Sequence, residues 1–105
     1  MKYEVVITDS AALDLAGIVD YIARTSAARA NECHDKIIAK LKKLEAEPFL
    51  GRLHTVKKLK TQGWRELILQ SHIAHYKVEK DKLKVNIIRV LHQSMNQPKH
   101  LKQEP

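Results

Sequence analysis

Apolar residues recur every three or four positions through the first half of the chain and every second position through much of the second half. The opening segment, Tyr3-Glu4-Val5-Val6-Ile7-Thr8, is short and β-branched and reads as a strand. Asp9 or Ser10 then offers a side-chain oxygen to the unpaired amides of a helix start, and Ala11, Leu15, Ile18 and Ile22 trace one apolar stripe ending near Arg24. Gly17 within it weakens this helix by roughly 1 kcal/mol relative to Ala and, lacking a side chain, is expected to allow close helix packing. Thr25-Ser26 interrupts the period and supplies a second cap. Ala30, Cys33, Ile37, Leu41 and Leu44 carry a longer stripe, with Lys36, Lys40 and Lys43 off it, and Pro48 with Gly51 provides the stop. So short a connection forces the two helices into an antiparallel hairpin.

From Pro48 to Gly63 no period holds, and Lys57, Lys58 and Lys60 cluster there; the segment reads as a basic loop that admits a short strand around Val56 to Leu59. Beyond it, Trp64 to Leu69 and Ile73 to Glu79 read as strands joined by a Gln70-Ser71 turn, with Ala74, Tyr76 and Val78 on one face. After a tight turn near Lys80-Asp81, Leu83 to Leu91 is apolar on both faces, Leu83, Val85, Ile87 and Leu91 on one and Ile88 and Val90 on the other. That pattern places it centrally in a sheet. The predicted fold is α+β: an N-terminal strand, a two-helix antiparallel hairpin, then a mainly antiparallel sheet of three to four strands. A length of 105 residues allows one domain, 1–105, whose polar tail is expected to be mobile from about residue 97.

Composition adds a charge asymmetry. The formal net charge is +7, yet residues 1–50 carry −1 and residues 51–105 carry +8. Such a field favours an anionic partner, either a polyphosphate or an acidic protein segment, although solvated lysines alone explain part of it. No apolar run approaches the ~20 residues that span a bilayer, and Met1-Lys2-Tyr3-Glu4 does not open a signal sequence, so the expected location is the cytoplasm, with no membrane partner. A lone cysteine, Cys33 on the buried stripe, excludes an internal disulfide and reads as a core residue.

Candidate chemistry is sparse. The six histidines show no paired ligand spacing, and His72 and His75, three apart on a strand, point to opposite faces; neither a metal nor a cofactor is expected. Phosphate cradles and nucleophile elbows are lacking too. What remains is a set of cations expected to converge on one face: Arg65, Arg89, His92 and the group Lys57, Lys58 and Lys60 before Trp64. Arg65 and Arg89 suit bidentate contact with a phosphate or carboxylate, and His92 suits proton transfer. The competing assignment pairs each arginine with a carboxylate such as Glu66 or Glu79.

The order of elements, with Ala12-Leu13-Asp14-Leu15, Tyr21-Ile22, Gly63-Trp64-Arg65-Glu66, Ser71-His72-Ile73, Tyr76-Lys77-Val78 and above all Arg89-Val90-Leu91-His92-Gln93-Ser94-Met95-Asn96, resembles the ParE branch of the RelE/ParE toxin superfamily from about Tyr3 to Leu101. The resemblance implies the toxin half of a type II toxin–antitoxin module, of use in plasmid stabilisation. Its implied neutraliser is a cognate antitoxin, usually a ribbon-helix-helix protein, in a hetero-oligomer. ParE-like members poison DNA gyrase, whereas RelE-like members cut mRNA on the ribosome. No Tyr, Phe or Trp follows Tyr76, so the C-terminal tyrosine common in RelE-like nucleases is missing, and Arg65, Arg89 and His92 with Glu66 as base would be an incomplete nuclease set. The leading expectation is a non-enzymatic gyrase inhibitor, with mRNA cleavage as the alternative. The turn Thr25-Ser26-Ala27-Ala28 lacks the Trp-Gly of many ParE-like chains, which leaves a third reading, an antitoxin-binding module without active toxicity. Lys57, Lys58, Lys60, Trp64, Arg65, Arg89 and His92, with Leu15, Ile18 and Ile22 of the first helix, are the expected partner contacts.

Overall fold

Thr8 ends the first strand and begins the first helix in a single residue. Its backbone is extended, its hydroxyl accepts a hydrogen bond from the Ala11 amide at 3.3 Å, and the same hydroxyl donates to the Ile87 carbonyl at 2.8 Å. Thr8, rather than Asp9 or Ser10, is therefore the cap, because the residue leaving β1 (Glu4–Ile7) is the one still in extended conformation. The computed structural model describes residues 2–95 and Leu101. The sequence expectation about the tail falls otherwise outside the described residues.

Helix α1 spans Asp9–Ala23 and α2 spans Ala27–Lys42, with Ser26 capping α2 by accepting from the Arg29 amide at 3.2 Å. The predicted stripes are the buried ones: Ala11 and Leu15 on α1, Ala30, Ile37 and Leu41 on α2, and Leu44 on the 3-10 turn that follows. Gly17 is exposed, with nothing within 4 Å of an added Cβ, so the close packing expected there is not formed.

Strands β2 (Arg52–Leu53), β3 (Arg65–Leu69), β4 (His72–Glu79) and β5 (Lys84–His92) complete a five-stranded sheet of order β1-β5-β4-β3-β2. It is antiparallel except where β1 lies parallel to β5, from Glu4 opposite Lys84 to Ile7 opposite Ile87. The doubly apolar β5 is indeed interior, between β1 and β4. Its faces differ from the simple alternation, because a bulge opposite His75 and Tyr76 leaves Ile88 as an extra residue and reverses the parity beyond it. Val85, Ile87 and Val90 therefore join the helix-side core with Leu67, Leu69, Ala74 and Tyr76, while Ile88 and Leu91 pack with Leu59, Trp64 and Leu101 in a second, smaller core.

The basic segment is a short helix, α3 (Lys57–Thr61), rather than a strand over 56–59. Five residues do not hold a helix by themselves. Burial of Leu59 in the second core, and the Trp64 amide donating to the Leu59 carbonyl at 3.1 Å, fix it and leave Lys57, Lys58 and Lys60 exposed. Gly51 has a stricter role than a helix stop. A Cβ there would lie 2.6 Å from the Glu66 carbonyl oxygen and 2.6 Å from the Tyr76 hydroxyl, and the Gly51 amide donates to that hydroxyl at 2.8 Å. Among the described residues no helix is long and apolar enough to cross a membrane.

Candidate functional site

The expected single cationic face is not formed. Arg65, on β3, donates from Nη1 to the Gly51 carbonyl at 2.6 Å and stacks over Phe49 with its guanidinium 4.8 Å from the ring centroid. Arg89 lies on β5, with β4 between the two strands, and reaches α1: Nε is 2.8 Å from Asp14 Oδ2 and Nη2 is 3.0 Å from Asp14 Oδ1. Asp14 Oδ2 also accepts the Val90 amide at 2.9 Å. The Asp14 hydrogen bonds hold the Arg89 guanidinium charged even above the usual arginine range. Each arginine is thus committed to a different element. The carboxylates considered for them are taken by others: Arg52 Nε bonds Glu66 Oε1 at 3.1 Å, and Asn86 Nδ2 bonds Glu79 Oε1 at 2.6 Å.

His92, at the end of β5, is exposed and directly opposite His72, the two rings meeting edge to face at 5.1 Å. Its Nδ1 lies 2.8 Å from Ser94 Oγ and 3.1 Å from the Ser94 amide. Burial, and secondarily the proximity of His92, lowers the pKa of His72. Glu66 is opposite His75, three positions along β4 from His72, which sets it about 10 Å from the His92 end of the sheet. The acid and base imagined for phosphodiester chemistry are therefore not brought together.

Trp64 is 1% exposed beneath Lys77, whose ammonium sits 4.7 Å from the ring centroid, and Leu15 belongs to the core. Neither presents a surface to a partner in this conformation. Ile18 is half-buried against the core, and Ile22 opens into a groove of about 420 Å³. The floor of this groove is Ile22, Cys33, Ile37 and Leu69; Arg29, Lys36 and Lys40 rim it together with Glu32. Glu32 bonds Lys36 at 2.9 Å, which lowers its pKa, so Arg29 and Lys40 leave the rim cationic. Sequence periodicity found α2's buried stripe, but the groove needs the end of β3 brought against α2, and no local pattern encodes that.

A second grouping invisible to spacing is His54, Glu66 and His75. All three are buried, and their ligand-capable atoms lie within 4.8 Å of one another. The Val56 amide donates to His54 Nδ1 at 3.1 Å, which puts the imidazole proton on Nε2, 3.7 Å from Glu66 Oε2.

An α-hairpin laid on one face of a sheet whose first and last strands run parallel defines the RelE/ParE class of small toxins, and comparison with known proteins agrees. Over 87% of this chain and 96% of the other, the structure is similar to one from the chromosomal ParDE toxin–antitoxin system of P. aeruginosa, at 26% identity and a TM-score of 0.70. A fold-level likeness, 22% identical with a TM-score of 0.60, covers 89% of this chain and 100% of a chain from the RelBE2 toxin–antitoxin complex of Mycobacterium tuberculosis. A search of curated proteins finds no similar sequence. Residues 5–97 match the family described as ParE toxin of type II toxin–antitoxin system, parDE, and the chain belongs to that family.

Proposed function

We propose that this protein is a toxin that acts in the cytoplasm by binding DNA gyrase, without making or breaking bonds, and that a cognate antitoxin neutralises it. Membership of the ParE family supports the gyrase target. The observation that carries the non-enzymatic reading is the dispersal of the groups a nuclease would use: Arg89 clamped to Asp14, Glu66 buried under Arg52, and His92 at the far end of the sheet. The antitoxin, in this reading a ribbon-helix-helix protein with an acidic tail, places an apolar and acidic segment in the α2 groove, against Ile22 and Ile37 and between Arg29 and Lys40. The exposed Lys57, Lys58 and Lys60 of α3 form a separate cationic surface available to the target.

Purified toxin assayed in parallel on gyrase supercoiling and on translating ribosomes distinguishes the readings. Inhibited supercoiling with intact mRNA is the expected result. Ribosome-dependent mRNA cuts that vanish in His92→Gln would make the protein a RelE-type endoribonuclease. Antitoxin binding with no effect in either assay would leave a binding module without toxicity.

A further inference from the structure

His54 follows β2, Glu66 lies on β3, and His75 stands opposite Glu66 on β4, so three adjacent segments each send one metal-competent side chain into the same interior point. Their exposures are 3%, 5% and 0%, and the two imidazole rings lie 5.8 Å apart at a tilt of 30°. We propose that His54, Glu66 and His75 form a buried site for one divalent transition-metal ion of the zinc class.

Two imidazoles and one carboxylate are the donor set that zinc and its neighbours favour, whereas calcium and magnesium favour oxygen alone. Tetrahedral zinc with bonds of about 2.0–2.1 Å sets its donor atoms about 3.3 Å apart. His54 Nε2 and Glu66 Oε2 are already 3.7 Å apart, so small side-chain rotations complete that pair. His54 Nε2 is itself buried without a hydrogen-bond partner, an arrangement that costs stability unless something else engages the nitrogen. Arg52 holds the other oxygen of Glu66, Oε1, and its exposed side chain can remain there as an outer partner that orients the carboxylate.

The metal and the present proton compete for one nitrogen. Coordination through His54 Nε2 moves the imidazole proton to Nδ1 and breaks the hydrogen bond from the Val56 amide. That loses the backbone bond and turns two donors toward each other, so Val56 must shift, a cost set against the gain from three ligands closing on a divalent ion. Val56 is the residue that caps α3, so loading also reports at the start of the basic helix.

The full chain, stripped with a chelator, is titrated with Co(II) and Zn(II). One equivalent of Co(II) with the visible bands of a tetrahedral site is expected, along with a rise in melting temperature with Zn(II). His75→Gln should weaken binding at least tenfold, while His72→Gln, which removes the half-buried ring partner of His92, should bind as the natural chain does. Absence of binding, binding indifferent to His75→Gln, or binding lost in His72→Gln would overturn the site. Should His75→Gln not fold, imidazole ¹⁵N spectra of the unaltered chain decide: Zn(II) must shift His54 and His75, and shifts confined to His72 and His92 refute the proposal.

Discussion

Arg89 and Asp14, 75 residues apart in the chain, meet in a two-point clamp with distances of 2.8 and 3.0 Å. The clamp ties the last strand to the first helix, and Asp14 also satisfies the Val90 amide beyond the end of β1. Both side chains are mostly but not fully buried, at 28% and 15% exposure. Removing the carboxylate takes both of these bonds from the guanidinium and the acceptor from the Val90 amide. Asp14→Ala is expected to cost about 2–3 kcal/mol, between the values for exposed and fully buried pairs. Urea unfolding of the two proteins measures it, and an unchanged midpoint would show that the clamp contributes nothing.

Gly51 has no room for a methyl group. With backbone and hydroxyl atoms 2.6 Å from the position of a Cβ, Gly51→Ala should push β2 away from β3 and β4 and destabilise by about 1–3 kcal/mol, the usual range for overpacking. Tyr76→Phe, which only deprives the Gly51 amide of its acceptor, should cost less than or about as much, ~1–2 kcal/mol. Thermal melts of both variants test the order.

Docking of the antitoxin in the α2 groove, as proposed above, would make its affinity charge-dependent. Arg29→Glu and Lys40→Glu should each weaken binding by roughly tenfold at low salt, with a smaller effect at high salt as screening removes the contribution. Calorimetry against the antitoxin at two salt concentrations checks this. Equal effects at both concentrations would assign the loss to shape rather than charge.

His72 makes stability depend on pH in a defined direction. Its folded pKa is lowered by burial and by His92, so below the ordinary histidine value near 6.5 the unfolded chain takes up the proton more readily. This contribution is intact above that pH and is lost as the pH falls through it. The melting temperature should therefore drop between pH 7.5 and pH 5.5, and the drop should shrink in His72→Gln. A drop of the same size in the variant would place its origin elsewhere.

α2 was legible because one of its faces is buried and the other is wet, so Ala30, Ile37 and Leu41 carry the period of burial. β4 was legible from the alternation of Ala74, Tyr76 and Val78, although Ile73 and His75 on its other face are buried as well. The bulge at Ile88 was not legible, since one extra residue in an apolar strand leaves no mark in composition, although it decides which face Leu91 and Val90 occupy. α3 was missed because a single buried residue, Leu59, sets its conformation, too little for any period. The site suffered more. Arg65 and Arg89 were recognisable as cations, but their partners, the Gly51 carbonyl and Asp14, are supplied by distant segments. The meeting of His54, Glu66 and His75 depends on the ladder register among β2, β3 and β4.

The parallel pairing of β1 with β5 joins positions as far apart as Glu4 and Lys84. Among the described residues β1 pairs with no strand other than β5, and the Thr8 hydroxyl donates to the carbonyls of Ile87 and Ile88. Contacts so remote in sequence are slow to form and come late. A chain halted before Lys84 lacks the strand that β1 pairs with, so the sheet closes over β1 only once β5 has been made.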